Sequence, residues 1–341
     1  MTKEARYYQT DAVRLVEKNL IEHNKKRILI VLPTGAGKTL TSRLVLKSSA
    51  IREHLGVVDR KLRVLFLAHN TRLLRQAVAE YANDDSIEII SQSTFSDIPQ
   101  NVLDEGWDLT VLDEAHHEAM NSFQLRLEAF SSAPIIGLTA TPIRADGMMI
   151  KFDKIISTLS RTDAVNEGFL AATYLHTVLD VGGVDKVELI NDVFSNFEDE
   201  IGQTILFVRT KKEARELDFI LNEKGISAIA LLDQDDDTVD KILSDFEKKE
   251  IQVIINCNRI SEGVDVKGCD TVILGRQFNS YAMISQCIGR ASRPDSDCHV
   301  WQLANPLKKN LDAMDVVGRP EKHTLLWKEK GKWVNQDFNQ L

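Results

Sequence analysis

Residues 32–39 read Leu-Pro-Thr-Gly-Ala-Gly-Lys-Thr, between an apolar run that suits a buried strand and a stretch of helical pattern. Glycines at 35 and 37 let successive backbone N–H groups turn inward around an anion, and a helix start adds partial positive charge. A lysine there is a point charge for β- and γ-phosphates, and a following threonine hydroxyl suits a magnesium ion. Pro33, Thr34, Gly35, Ala36, Gly37, Lys38 and Thr39 therefore form a candidate cradle for ATP and Mg2+, although Leu32 stands where the strict G-x-x-x-x-G-K-T form has its first glycine.

Val111-Leu112-Asp113-Glu114-Ala115-His116 closes another apolar run. A strand-terminal aspartate near phosphates suits Mg2+, held directly or through water, and the next carboxylate can orient and polarise an attacking water. Asp113 is read, with Thr39, as a metal ligand; Lys38, Asp113 and Glu114 are read as catalytic. Thr139-Ala140-Thr141-Pro142 ends a further run, and its hydroxyls, bonded to the turn carrying His116, would relay nucleotide state to a domain interface. The second half lacks such a phosphate loop but supplies Gln286-Cys287-Ile288-Gly289-Arg290-Ala291-Ser292-Arg293. Two arginines three apart share a face if they lie on a helix. Arg290 and Arg293, with Gln286, then join the catalytic set as fingers that stabilise charge developing in phosphoryl transfer.

Such groups need rigid strand ends to hold them. Short apolar runs alternate with helical patterns along the chain, the signature of parallel sheets with crossover helices. Five runs fall in each half: 27–32, 63–68, 87–90, 109–112 and 134–138, then 204–208, 228–232, 252–256, 271–274 and 300–303. Several are apolar at successive positions, as strands covered on both faces require. The expectation is α/β: two doubly wound domains of five strands each. An opening helix is expected from about Asp11 to His23, with Val13, Val16, Leu20 and Ile21 facing the core. The Gly182-Gly183 pair is the best hinge, so the boundary is placed near 175–185. Beyond residue 306 the alternation stops, leaving a tail of obscure role.

The chain has 341 residues and a net charge of −9, and 43% of its residues are hydrophobic. Those values describe a globular protein and exclude collagen-like, coiled-coil and disordered classes. The acidic excess lies in the second half, partly in Asp233-Gln234-Asp235-Asp236-Asp237, read as a solvated loop. No apolar run approaches the ~20 residues of a membrane span, and no signal-peptide core follows Met1. The four cysteines form no C-x-x-C pair and are expected as buried core residues in a reducing compartment.

Taken in order, these motifs resemble superfamily 2 helicases, the DEAD/DEAH-box group. Arg6-Tyr7-Tyr8-Gln9, Asp-Glu-Ala-His-His and Thr-Ala-Thr-Pro-Ile-Arg-Ala-Asp are similar to the DNA-acting branch near the XPB and UvrB types, whose compact members occur in bacteria, phages and mitochondria. The resemblance spans about residues 5–305. It implies two tandem RecA-like domains, at 1–175 and 176–306, with residues 307–341 as the tail. It further implies that Gln9 reads adenine, with Arg6 or Tyr8 beside the base, and that Gly263 and Asp265 lie by the nucleotide. Thr71, Arg72, Ser91 and Thr94 of the first domain, and Arg209 and Thr210 of the second, would bind a nucleic-acid strand. Cys257 departs from the family, standing where many relatives carry a backbone-contacting threonine. The implied activity is a nucleic-acid-dependent ATPase, a DNA helicase or translocase. The rivals are a double-strand translocase or annealing remodeller, an RNA helicase, and an ATP-switched binding module. DNA is favoured over RNA as partner, with room for an accessory protein. A monomer away from membranes is expected, in the cytoplasm of a bacterial or phage-infected cell.

Overall fold

The computed structural model describes residues 4–338, except 69–73, 76–77, 80, 82–83, 93–99, 117–131, 144–148, 181–182, 184, 258–265, 279, 295 and 306–311. It divides into two compact units, Met1–Ser160 and Arg161–Leu341.

The first unit opens on helix α1 (Tyr7–Glu17), which passes into one π-helical turn, Lys18–Glu22. Strand β1 (Arg27–Val31) leads to α2 (Lys38–Lys47) and α3 (Ser49–His54). Then come β2 (Leu62–Leu67), β3 (Ile87–Gln92), α4 (Gln100–Glu105), β4 (Leu109–Leu112), β5 (Ile135–Thr139) and β6 (Lys154–Ser157). All pairings in this sheet are parallel, in the order β3-β2-β4-β5-β1-β6. Ile28, Leu29 and Ile30 have no exposed surface, as a strand covered on both faces predicts. Strand β5 separates β1 from β4, so Thr139 at its carboxyl end stands between the ends that lead to Lys38 and to Asp113.

Helix α1 begins four residues earlier than its apolar stripe predicts, where the Gln9 side chain reaches back and accepts from the Arg6 N–H at 2.9 Å. The π turn then adds a residue to one helical repeat, and the Asn19 amide donates to the Leu15 carbonyl at 2.8 Å. Leu20 stays buried while Ile21, expected in the core, is 37% exposed.

The second unit contains α5 (Arg161–Asn166), β7 (Thr173–Leu179), α6 (Lys186–Asn196), β8 (Thr204–Phe207), α7 (Lys211–Glu223), β9 (Ala228–Leu231) and α8 (Asp236–Glu247). It continues through β10 (Val253–Asn256), β11 (Thr271–Leu274), α9 (Tyr281–Gly289), β12 (Cys298–Ala304), α10 (Ala313–Val317), β13 (Lys322–Glu329) and β14 (Lys332–Asp337). The sheet order is β14-β13-β7-β12-β11-β8-β10-β9, parallel except for the β13–β14 hairpin. Separate buried clusters cover this sheet, one including Leu175, Ile254 and Ile288, another including Val178, Leu206 and Trp301.

Four strands beyond the ten expected make the sheets six- and eight-stranded. Edge strand β6 carries only two apolar residues, and β7 interleaves Thr173, His176 and Thr177 among its apolar positions, so neither shows a continuous run. The expected patternless tail contains α10 and a hairpin whose first strand pairs with β7. Lys330 and Gly331 turn it with φ of 50° and 78°, the positive values a two-residue hairpin loop demands. The compact units divide between Ser160 and Arg161, and β7 pairs with β12 inside the second sheet. Gly183 lies between β7 and α6, its N–H bonded to Asp180 at 2.9 Å, so the expected hinge falls inside the second unit; Gly182 lies outside the described residues. The acidic run is no free loop: Asp235 caps α8, and Asp236 and Asp237 occupy its first turn, where the helix dipole favours negative charge.

Candidate nucleotide site

The loop from Leu32 to Gly37 joins the carboxyl end of β1 to α2, with Gly35 and Gly37 in left-handed backbone at φ 90° and 80°. Its carbonyls are held from behind. Tyr8 Oη donates to the Ala36 carbonyl at 2.9 Å, and the Gln9 amide donates to the carbonyls of Ala36 and Gly37 at 3.3 and 3.4 Å. In a planar trans peptide the N–H opposes the C=O. Fixing those two carbonyls therefore directs the N–H groups of Gly37 and Lys38 to the other side of the loop. Gly35, Gly37 and Thr39 are exposed on this cradle. A Cβ at Gly37 would stand 2.7 Å from Gln9 Nε2, so that position excludes side chains by contact as well as by its φ.

This geometry gives the residues expected at the base contacts with the loop itself. Tyr8, expected beside a base, is fully buried, and Gln9 is 2% exposed with its amide engaged on the loop. Arg6 joins them: its N–H donates to Gln9 Oε1 at 2.9 Å and its guanidinium to Tyr8 Oη at 3.3 Å. Tyr8 and Gln9 brace the loop between β1 and α2, and Arg6 bonds to both. Tyr7, which the sequence reading passed over, is the exposed ring next to them.

Strand β4 delivers Asp113 and Glu114 to the same sheet edge. The Asp113 N–H donates to the Leu67 carbonyl and the Ala115 N–H to that of Leu138, both at 2.9 Å, so the turn is fastened to β2 and β5. Glu114 adopts φ 47°, a conformation uncommon for a residue with a Cβ and concentrated at functional sites. Its carboxylate lies 3.8 Å from Lys38 Nζ and 3.4 Å from His116 Nδ1. His116 Nδ1 also lies 3.1 Å from Thr139 Oγ1. The Thr139 hydroxyl donates to the Thr141 carbonyl at 2.7 Å and accepts from the Thr141 N–H at 3.2 Å. With its proton spent there, Thr139 accepts from His116, which places the imidazole proton on Nδ1. The Thr141 hydroxyl in turn accepts from the Ile143 N–H at 3.3 Å. One chain of contacts thus runs from Lys38 through Glu114 and His116 to Thr139 and Thr141. The exposed N–H cradle, the Lys38 ammonium and the hydroxyl and carboxylate oxygens of Thr39 and Asp113 suit a nucleotide with a hard divalent cation.

In the second unit, Gln286 of α9 is 3% exposed, and neither end of its amide has a hydrogen-bond partner among the described residues. Helix α9 ends at Gly289. Arg290 is its C-cap and Arg293 lies beyond it, so the two half-buried arginines do not share a helical face as expected. Between them, the Ser292 hydroxyl donates back to the Ile288 carbonyl at 2.8 Å and accepts from Arg161 at 2.9 Å. Arg161, which also reaches Thr173 at 3.2 Å, is half-buried, and nothing in Ser160-Arg161-Thr162 names these partners.

Arg209 and Thr210 are exposed at the carboxyl end of β8. Thr210 caps α7, accepting from the Glu213 N–H at 3.1 Å, while Glu213 accepts from the N–H groups of Arg209 and Thr210 at 2.9 and 3.0 Å. Cys257 is buried with Sγ 3.6 Å from the Arg209 carbonyl, and all four cysteines are free and buried. Ser91 lies near the carboxyl end of β3. Thr71, Arg72, Thr94, Gly263 and Asp265 fall outside the described residues. Among the described residues, no helix is long and apolar enough to cross a membrane.

The chain matches two protein families in succession. Type III restriction enzyme, res subunit, matches residues 2–96 and 82–144, and the helicase conserved C-terminal domain matches residues 185–295. IRC3 of Saccharomyces cerevisiae is 25% identical, over 86% of this chain and 50% of that protein. The DNA 3'-5' translocase XPB2 of Sulfurisphaera tokodaii is 28% identical, over 50% of this chain and 38% of that protein. The chain therefore spans half the length or less of these relatives. The ATP-dependent Type ISP restriction-modification enzyme LlaBIII bound to DNA shares the fold, with TM-score 0.72 and 15% identity over 97% of this chain and 32% of that one. The two family matches follow the order of the two sheets and together cover most of the chain, which carries the res-subunit and helicase C-terminal domains of superfamily 2 helicases.

Proposed function

We propose that the chain is a nucleic-acid-dependent ATPase that works as a DNA helicase or translocase, hydrolysing ATP between its two RecA-like units. The contact of Lys38 with Glu114 at 3.8 Å carries this reading. It joins the ammonium suited to β- and γ-phosphates to the carboxylate suited to positioning water. Phosphate entering the cradle would draw Lys38 away and free Glu114 to orient the attacking water. His116 and Thr139 would carry that change to Thr141 and the chain beyond it. Bound Mg2+, held by Thr39 and Asp113, would neutralise charge on the phosphate oxygens. Arg290 and Arg293 would come from the second unit of the same chain, so a monomer suffices.

Grip on the strand would lie at the sheet ends carrying Thr71, Arg72, Ser91, Thr94, Arg209 and Thr210. Phosphate contacts of this kind are largely sequence-independent and salt-sensitive. DNA is preferred because the res-subunit match and the DNA translocase XPB2 both belong to DNA metabolism. Steady-state ATPase measured in parallel with single-stranded, duplex and branched DNA and with RNA tests the proposal. DNA should stimulate hydrolysis, less so as salt rises. Stimulation by RNA alone would overturn the DNA assignment, and stimulation by none would overturn the nucleic-acid dependence.

A further inference from the structure

Away from the nucleotide site, the second sheet carries a compact group of polar rings. Strands β7 and β12 pair in parallel, with Tyr174 opposite His299 and His176 opposite Trp301, so all four side chains share one sheet face. His176 stacks on Trp301 at 4.2 Å between centroids and lies nearly parallel to His299 at 5.4 Å; Tyr174 flanks His299 at 5.1 Å. Glu200, in the short turn before β8, places Oε2 3.3 Å from His176 Nδ1. On its other side, His176 Nε2 lies 3.2 Å from His299 Nδ1.

His176 thus has a carboxylate oxygen near one ring nitrogen and a second imidazole nitrogen near the other.

We propose that His176, His299 and Glu200 form a divalent-metal site for Zn2+, with water completing the coordination. One donor atom from each residue lies within 4.8 Å of the others. Tetrahedral zinc with bonds of about 2.0–2.1 Å holds its ligand atoms roughly 3.3 Å apart, and the two imidazole nitrogens already stand at that spacing. The remaining closure falls to Glu200, whose side chain is 48% exposed and free to move, and this open side gives the ion its entry. Two imidazoles with one carboxylate favour zinc over magnesium or calcium, which take oxygen ligands. Bound there, the ion would tie the 198–200 turn to β7 and β12, a role separate from hydrolysis.

Isothermal titration of the full chain with Zn2+, and Co2+ absorption as a coordination probe, tests the site in the presence of saturating Mg2+ and without nucleotide. The expected result is one Zn2+ per chain, a four-coordinate Co2+ spectrum and a higher Tm. His299→Ala and Glu200→Gln, both at positions reached by solvent, should each weaken binding at least tenfold and abolish the Tm rise. Circular dichroism of each variant guards against misfolding. Zn2+ affinity unchanged in folded His299→Ala, or no saturable binding to the native chain at micromolar zinc, would overturn the proposal.

Discussion

Lys38 and Glu114 divide the work of the proposed site, and their substitutions should separate binding from turnover. Lys38→Ala removes the charge held for the β- and γ-phosphates and should abolish hydrolysis with a marked loss of nucleotide affinity. Glu114→Gln keeps Asp113 and should bind ATP yet turn over at least a hundredfold more slowly; near-native turnover would remove Glu114 from its role. Fluorescent-nucleotide binding beside a phosphate-release assay distinguishes the two. Gly37→Ala would place a methyl 2.7 Å from Gln9 Nε2 in backbone at φ 80°, so it should weaken nucleotide binding by displacing the brace beneath the loop. Arg293→Ala should lower kcat by about 10³-fold or more while ATP binding holds within a few-fold, as for an arginine finger supplied within the chain. Ground-state affinity lost in parallel with kcat would instead make Arg293 a binding residue.

At the scale of elements, strand ends do the positioning. β1, β4 and β5 each deliver one part of the site because parallel strands direct their carboxyl ends to one edge, where open α/β sheets bind ligands. The C-terminal hairpin has a different duty, covering β7 and contributing Leu326, 1% exposed, to the cluster around Val178 and Trp301. Leu326→Ala should destabilise the second unit by about 2–5 kcal/mol, read as a lower urea midpoint for that unit. An unchanged midpoint would make the hairpin an ornament of the sheet. Most strands were legible as uninterrupted apolar runs, whereas β7 and β13 were not. Their threonines and histidines are buried against partners that the local pattern cannot name, such as Thr177 Oγ1 with His323 Nε2 at 2.9 Å.

For the whole molecule, the two compact units should respond differently to acid. In the first unit, burial pushes Asp84 up, but Lys47 and Ser86 outweigh it and bring the carboxyl down to about 2. Burial likewise opposes, and is outweighed by, Arg60 and the Arg63 N–H at Asp108, and by Arg27 at Asp153. Carboxyls depressed in the folded state contribute stability that is complete above their unfolded pKa of roughly 3.9 and is lost as pH falls through the folded values. The first unit should therefore lose stability steeply between about pH 4 and 2, and Asp84→Asn should flatten that dependence. An equal slope in the variant would show that Asp84 is not coupled to folding. A chain ending at Ser160 retains the phosphate loop and its own sheet, so it should bind nucleotide weakly and show no nucleic-acid-stimulated hydrolysis. Hydrolysis by that fragment at the full-length rate would exclude Arg290 and Arg293 from the site.

The sequence by itself determined the α/β class, the central strands, the glycine turn between β1 and α2 and the order of the motifs. Those features are written in neighbouring residues: continuous apolar runs, glycines beside a lysine, paired acids at a strand end. Tertiary structure decided what depends on distant residues. Tyr8 and Gln9 became braces because the Ala36 and Gly37 carbonyls lie within their reach, and Arg161 acquired its partners because β7 supplies Thr173 and the turn after α9 supplies Ser292. Arg290 and Arg293 left a common helical face because α9 stops at Gly289, where the chain turns toward β12. Side-chain type and spacing set which chemistry is available; long-range packing sets which atoms are left to perform it.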